Sequence, residues 1–432
     1  MQTTLSKSGP LKGEISVAPD KSISHRAVIL SALARGVGTV SNFLLAEDTL
    51  STCSCIKQLG VEIKREGSRL QIFGQGLHGL RESTSVLDCG NSGTTMRLLS
   101  GLLAGQHFFS VLSGDQSLNQ RPMKRVMEPL RAMGADIWAR NNDQNPPLAV
   151  KGRPLKGLHY RMPIASAQVK SALLLAGLDA DGESVIIEPE RSRNHSENML
   201  IAMGADISVH RNEITLRPGR ELEPQDFLVP GDISSAAFFI VAASLVPGSE
   251  LLIKDIGINS TRDGIIDVMR EMGGKIDLHN RRIIGGEEVA DLLICSSSLH
   301  GVRINGEIIP RLIDEIPIIA VAMAFANGQS TIEGAQELRV KESDRISAIC
   351  SELSKFGCEI EELVDGFVIQ GNPALSENKS ENTQVQSHGD HRIAMSLAVA
   401  AMCLQSDTQI MGTDAVSISF PEFWDLLNTI RS

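Results

Sequence analysis

The sequence predicts an α/β protein of two domains, built from six copies of one unit with three copies in each domain. Two observations carry this. An apolar, Ala-rich helix opens six times along the 432 residues, at Lys21, Asn91, Ser166, Asp232, Asp314 and His391, which stand 70, 75, 66, 82 and 77 residues apart. In most copies a second, amphipathic helix follows and ends at a glycine ahead of a short strand. Self-similarity at this period marks a repeated supersecondary unit, whose helix starts fall at equivalent points.

In chain order, the first helix opens with Lys21-Ser22-Ile23-Ser24-His25-Arg26 and the second with Gly90-Asn91-Ser92-Gly93-Thr94. The third opens with Ser166-Ala167-Gln168, the fourth at Asp232, the fifth with Asp314-Glu315 and the sixth with Asp390-His391-Arg392. Gly60, Gly134, Gly204, Gly273 and Gly357 end the amphipathic helices, a position that suits a left-handed C-cap. Strand hairpins follow, as around residues 70–74, 148–152 and 367–371.

The sixth copy looks incomplete, because the helix begun by Phe420-Pro421-Glu422-Phe423-Trp424 has no strands after it. A matching segment stands before Lys21, where residues 9–19 resemble residues 152–163 ahead of Ser166. The N-terminal segment is therefore expected to complete the last unit. That closure predicts one domain over residues 21–229 and a discontinuous one over 230–432 plus 1–20, with crossings near Pro19-Asp20 and Val229-Pro230-Gly231. The apolar helices should be enclosed within their own domain, and a ligand site is expected in the cleft between the domains.

Composition narrows the function. Hydrophobic residues make up 42% of the chain, but with two Trp, one Tyr and twelve Phe the cores must be filled by small aliphatic side chains. A net charge of −11 with no Lys/Arg run longer than two excludes a nucleic-acid track and an anionic-membrane patch. The longest apolar stretches, 236–247 and 316–326, fall short of the ~20 residues a membrane span needs. The N-terminus lacks a secretory signal, and the mature protein is expected to start there. Seven cysteines without a Cys-x-x-Cys pair fit reduced thiols in a cytoplasm.

The chemical side chains gather at the helix starts, where backbone N–H groups and the helix dipole favour anions. Lys21, Arg26, Arg121, Arg193, Lys341, Arg345 and Arg392 stand against Asp314 and Glu342. Taken singly, most have a bland reading: Lys21-Ser22 suits a capped surface helix, Gly93 a tight turn, Asp314 a plain N-cap, and residues 339–345 a charged surface helix. Taken together they suit two polyanionic ligands, with two carboxylates available for proton transfer. Metal-spaced Cys/His clusters, a P-loop lysine motif and a dinucleotide fingerprint are all lacking.

With Arg121-Pro122-Met123, Arg339-Val340-Lys341-Glu342-Ser343-Asp344-Arg345 and Asp390-His391-Arg392 added, the chain resembles the 5-enolpyruvylshikimate-3-phosphate (EPSP) synthase family over nearly its full length. The resemblance implies the enolpyruvyl transferase fold, a two-domain inside-out α/β barrel of six βαβαββ repeats. It implies transfer of the enolpyruvyl group of phosphoenolpyruvate to the 5-hydroxyl of shikimate 3-phosphate, releasing phosphate. Lys21, Ser22, Arg26, Ser166, Gln168, Arg193, Asp314 and Lys341 would bind shikimate 3-phosphate. Lys21, Gly93, Arg121, Gln168, Arg345 and Arg392 would bind phosphoenolpyruvate. Asp314 would be the base, Glu342 the acid that protonates the methylene carbon, and Lys21 a further proton-transfer or charge-stabilising group. No metal or organic cofactor is implied. The expected protein is a cytoplasmic monomer that closes on its ligands and is inhibited by glyphosate.

Some positions depart from the commonest pattern. Ala167 replaces a serine of many members, Arg193-Asn194-His195 matches the family's second subgroup, and Leu98 and Ile418 stand where the first subgroup has proline and lysine. A phosphoenolpyruvate contact made by that lysine is therefore absent or supplied differently. The alternative is the sister transferase acting on UDP-N-acetylglucosamine. That family carries a reactive cysteine just before the loop arginine, and residues 114–121 contain none.

Overall fold

The computed structural model describes residues 1–306, 308–377 and 383–431. Each predicted helix start has its cap position within one residue of its anchor, and five of the six carry a side-chain cap bond. Asp20 accepts the Ile23 N–H at 2.8 Å, Ser92 that of Thr95 at 3.1 Å, and Ser166 that of Val169 at 3.5 Å. Asp232 accepts from Ser234 at 2.8 Å and Asp390 from Arg392 at 2.9 Å. The fifth helix differs: Glu315 takes the cap position with no side-chain cap bond, which leaves Asp314 outside the helix.

The six central helices are Lys21–Leu33, Gly93–Ala104, Ala167–Gly177, Ile233–Leu245, Ile316–Ala324 and His391–Cys403. Every residue of the fifth and sixth is buried, and the others leave only their first residues or their last one in part accessible. No polar face exists, so sheets and amphipathic helices must surround them. The five glycines that end the amphipathic helices all have left-handed backbones, with φ between 87° and 98°. An L side chain would strain each of those turns.

Among the described residues the strands form six small sheets, five of four strands and one of three. The recurring order is seen around the second central helix. Leu87–Asp88 pairs parallel with Phe109–Ser113, which pairs antiparallel with Asn145–Lys151, itself paired to Asp136–Ala139. This is the mixed α/β architecture of six repeats that the periodicity predicts. The N-terminal segment completes two sheets rather than one. Gln2–Leu5 pairs antiparallel with Thr408–Met411 in the last unit, as expected. Lys12–Ile15 instead pairs parallel with residues 250–253 of the fourth unit. In exchange, Asp226–Leu228 joins the first unit's sheet beside Arg35–Ser41. The strand before the first helix and the strand before the fourth have thus traded sheets.

The chain resolves into two compact units, Met1–Ala18 with Pro230–Arg282 and Glu288–Ser432, and Pro19–Val229 with Ile283–Glu287. The short segment 283–287, expected with residues 230–432, groups with the other unit. There Glu287 accepts from His195 at 2.9 Å and from Asn198 at 3.3 Å. In the unit that begins at Met1, the few aromatics concentrate where Phe238 and Phe239 of the fourth central helix meet Phe420 and Phe423, at ring separations of 5.8–6.2 Å. No helix among the described residues is long and apolar enough to cross a membrane.

Two predictions follow from packing and burial. A Cβ at Gly101 would lie 2.1 Å from the Ala172 carbonyl oxygen, where the second and third central helices touch backbone to backbone. Gly101→Ala should therefore cost about 1–3 kcal/mol or more in urea unfolding, and an unchanged midpoint would contradict that packing. His25 is sealed inside the first helix, and burial, with Lys21 and Arg26 nearby, holds its imidazole well below the ordinary histidine range. The unfolded chain gains that proton first as pH falls. Stability should then drop by up to ~1.4 kcal/mol per pH unit below about pH 6.5, a slope that His25→Gln should remove.

Candidate active site

In the unit formed by Pro19–Val229 and Ile283–Glu287, side chains at three helix starts are joined by hydrogen bonds. Lys21 forms an ion pair with Asp48, and both are largely buried. Asp20, not Ser22, caps the first helix, and the Ser22 carbonyl accepts from Arg26 at 3.0 Å. The Arg26 guanidinium also donates to Ser196 at 2.7 Å and Ser171 at 2.8 Å. Gln168 accepts from Arg97 at 2.6 Å and donates to Thr94 at 3.0 Å, which ties the third helix start to the second. Arg121 donates to Asn91 at 2.6 Å, and Asn91 donates to Asp115 at 2.7 Å.

Beneath these groups runs a buried hydroxyl chain. His25 Nδ1 lies 2.7 Å from Thr52, Thr52 lies 2.6 Å from Thr95, and Thr95 reaches the capping Ser92 at 2.7 Å. His25 is thus a packed histidine that braces two helix starts. Gly93 sits against the arginines: a Cβ there would lie 2.8 Å from Arg97 Nη1 and 3.4 Å from Arg121 Nη1. Ser166 caps its helix and Arg193 is half-buried just before the helix His195–Ala202. The set is strongly cationic, with Lys21, Arg26, Arg97, Arg121 and Arg193 in one unit at or next to helix starts.

In the other unit the polar groups centre on Arg345, which is 1% exposed. Its Nε lies 2.8 Å from Asp390, Nη1 3.2 Å from Asp314 and Nη2 2.6 Å from Glu342. Burial works against the charged guanidinium, but Asp390, Glu342 and Asp314 outweigh it and hold it charged. Burial likewise opposes ionisation of Asp390, and the Arg345 charge overcomes this and lowers its pKa. Lys341 Nζ lies 3.4 Å from the Asp314 oxygen that Arg345 also faces. Arg392 donates to the Asp314 carbonyl at 2.9 Å and lies 3.6 Å from Glu315. Asp314 is therefore a cation-bound carboxylate, not a cap.

The rest of the 339–345 string is structural. Arg339 pairs with Asp344 at 2.8 Å and Glu362 at 2.9 Å, and Asp344 caps the helix Arg345–Lys355. Sequence reasoning missed several supporting residues. Asp48 reads from sequence as one of two first-turn acids of an amphipathic helix, a common dipole partner. Arg97 was hidden inside an apolar helix. Glu352 is buried and accepts from the Gln386 N–H and His388 Nε2, each at 2.8 Å, which pins the turn leading into Asp390. Ile418, where a lysine was noted in relatives, is half-buried in the turn Thr413–Ile418.

Such an arrangement can bind polyanions, and it holds two carboxylates, Asp314 and Glu342, on different nitrogens of one guanidinium. Comparison with known proteins identifies the family. Residues 5–427 match the family model for EPSP synthase (3-phosphoshikimate 1-carboxyvinyltransferase). A 3-phosphoshikimate 1-carboxyvinyltransferase from Syntrophomonas wolfei is 60% identical over 423 residues, 98% of each chain. The EPSP synthase from Acinetobacter baumannii has a similar structure, with TM-score 0.88 and 42% identity over 100% of this chain and 98% of that one. The enolpyruvyl transferase NikO from Streptomyces tendae, 15% identical with TM-score 0.80 over 99% of this chain and 96% of that one, shares the fold. The chain belongs to the EPSP synthase family.

Proposed function

We propose that this transferase moves the enolpyruvyl group of phosphoenolpyruvate onto the 5-hydroxyl of shikimate 3-phosphate. The products are 5-enolpyruvylshikimate 3-phosphate and phosphate, formed by addition and elimination through a tetrahedral intermediate. The observation that carries the reading is the pair of carboxylates, Asp314 and Glu342, held on one buried arginine in a chain of this family. Addition of an alcohol to an enol phosphate needs a base at the hydroxyl and an acid at the methylene carbon. Asp314 takes the first role and Glu342 the second, and the same groups in reverse expel phosphate. Lys21 transfers a proton or stabilises charge between the ligands.

Shikimate 3-phosphate is held by Lys21, Ser22, Arg26, Ser166, Gln168, Arg193, Asp314 and Lys341. Phosphoenolpyruvate is held by Lys21, Gly93, Arg121, Gln168, Arg345 and Arg392. Arg345 is engaged by Asp390, Asp314 and Glu342. An arriving carboxylate or phosphate competes for the same guanidinium, which loosens Asp314 and Glu342 for proton transfer as substrate binds. The reaction uses no metal or organic cofactor, and the enzyme works as a cytoplasmic monomer. Glyphosate competes for the phosphoenolpyruvate site.

The direct test is phosphate release from phosphoenolpyruvate, which should require shikimate 3-phosphate; release independent of it would overturn the reading. In that assay Glu342→Ala should lower kcat by about 10²–10⁴-fold while leaving shikimate 3-phosphate binding near the parent value. Arg193→Ala should instead raise KM for shikimate 3-phosphate about 10- to 100-fold with little change in kcat. Near-normal turnover of Glu342→Ala would remove it from the proton path. Gly93→Ala places a methyl against Arg97, the partner of Gln168. It should raise both the glyphosate concentration for half-inhibition and KM for phosphoenolpyruvate, and an inhibition curve matching the parent would refute that placement.

A further inference from the structure

Lys170 lies in the third central helix, two residues beyond Gln168, and is 1% exposed. Its ammonium sits 2.8 Å from Glu188 and 2.7 Å from Glu197, each 2% exposed, and donates to the Ser192 carbonyl at 3.3 Å. Glu188 follows the strand Ser184–Ile187, and Glu197 lies in the helix His195–Ala202. Glu188 in turn accepts from the backbone N–H of Ser192 at 3.3 Å and from the Ser192 hydroxyl. One cation therefore ties a strand end, a loop and a helix to the central helix. The tied loop, residues 188–194, is the one that carries Arg193.

The neighbours of this cluster make the same connection. Ser171 and Ser196, adjacent in sequence to Lys170 and Glu197, lie 2.7 Å apart, and both accept from Arg26. Taking a lysine and two glutamates out of water is costly, and well-packed apolar residues of similar volume would often serve stability as well or better. Stability alone therefore gives little reason for the cluster. Its geometry gives a specific one, because it sets where the Arg193 loop leaves the strand and where it enters the helix.

We propose that Lys170, with Glu188 and Glu197, is a positioning residue for shikimate 3-phosphate: it touches no substrate and fixes the loop that presents Arg193. This rests on the reading of Arg193 as a ligand of that substrate. The test is direct calorimetric titration of shikimate 3-phosphate beside steady-state kinetics, for the full-length parent, Lys170→Met and Ser192→Ala. The serine variant removes one hydroxyl arm from the loop and leaves all three charges in place, so it carries the test if Lys170→Met does not fold. Lys170→Met should raise Kd and KM for shikimate 3-phosphate about tenfold or more. Ser192→Ala should raise them less, and in both variants kcat and KM for phosphoenolpyruvate should stay within about twofold of the parent. Folded variants that bind shikimate 3-phosphate as the parent does would overturn the positioning role. So would an equal loss in kcat and both KM values, which marks a general structural defect. A parent that fails to bind shikimate 3-phosphate would overturn the substrate reading itself, and the proposal with it.

Discussion

A helix with no polar face has to be enclosed, and an enclosed helix still leaves four backbone N–H groups unsatisfied at its start. That constraint organises this molecule. Six such helices are buried along nearly their whole length, so their starts are where polar groups are needed. Caps from Asp20, Ser92, Ser166, Asp232 and Asp390 each satisfy one N–H. The helix dipole also makes these places favourable for anions and unfavourable for cations. Yet Lys21, Arg345 and Arg392 stand at or within the first turn of a helix. Each has an acidic partner, Asp48 for Lys21, Asp390, Asp314 and Glu342 for Arg345, and Glu315 for Arg392. Cations placed against the dipole make physical sense where their function is to meet an anion that the dipole also attracts.

Arg345 shows how such a charge is kept. A lone guanidinium would not survive complete burial, and a single carboxylate would barely offset the loss of hydration. Three carboxylates around it reverse the balance, and the excess negative charge is met by Lys341 and Arg392 at the Asp314 side. The charged groups of the cluster are tied to one another by ion pairs and hydrogen bonds. On the proposed reading, this shared guanidinium is what holds Asp314 and Glu342 ready for proton transfer.

Much of this was legible in the sequence because it follows from local rules. The cap positions lie within one residue of Lys21, Asn91, Ser166, Asp232, Asp314 and His391, since caps are mostly short polar residues before apolar runs. The glycines that end the amphipathic helices announce themselves because only glycine accepts that backbone without strain. The strand exchange did not show. Lys12–Ile15 and Asp226–Leu228 carry similar local signals, and which sheet each joins depends on where the chain crosses between units. Asp48 and Lys170 were equally opaque. A charged residue in an amphipathic or apolar helix looks the same whether it faces water or a buried partner, and only the tertiary arrangement supplies the partner.

Asp232 shows what becomes of a helix start in this repeat when no ligand is assigned to it. It caps the fourth helix and also accepts from Arg262 at 2.7 Å, and Arg262 donates to Ser234 at 2.8 Å. The Ser234 hydroxyl donates to Glu315 at the start of the fifth helix, and Glu315 faces Arg392 at the start of the sixth. The fourth start therefore meets the same physical problem as the others, an orphaned N–H and a buried cation, and Asp232 answers both. What those groups brace is the carboxylate that holds Arg392. Within one unit, then, one helix start braces the next. In each, the counter-charge to the buried cation belongs to the chain, Asp232 for Arg262 and Glu315 for Arg392.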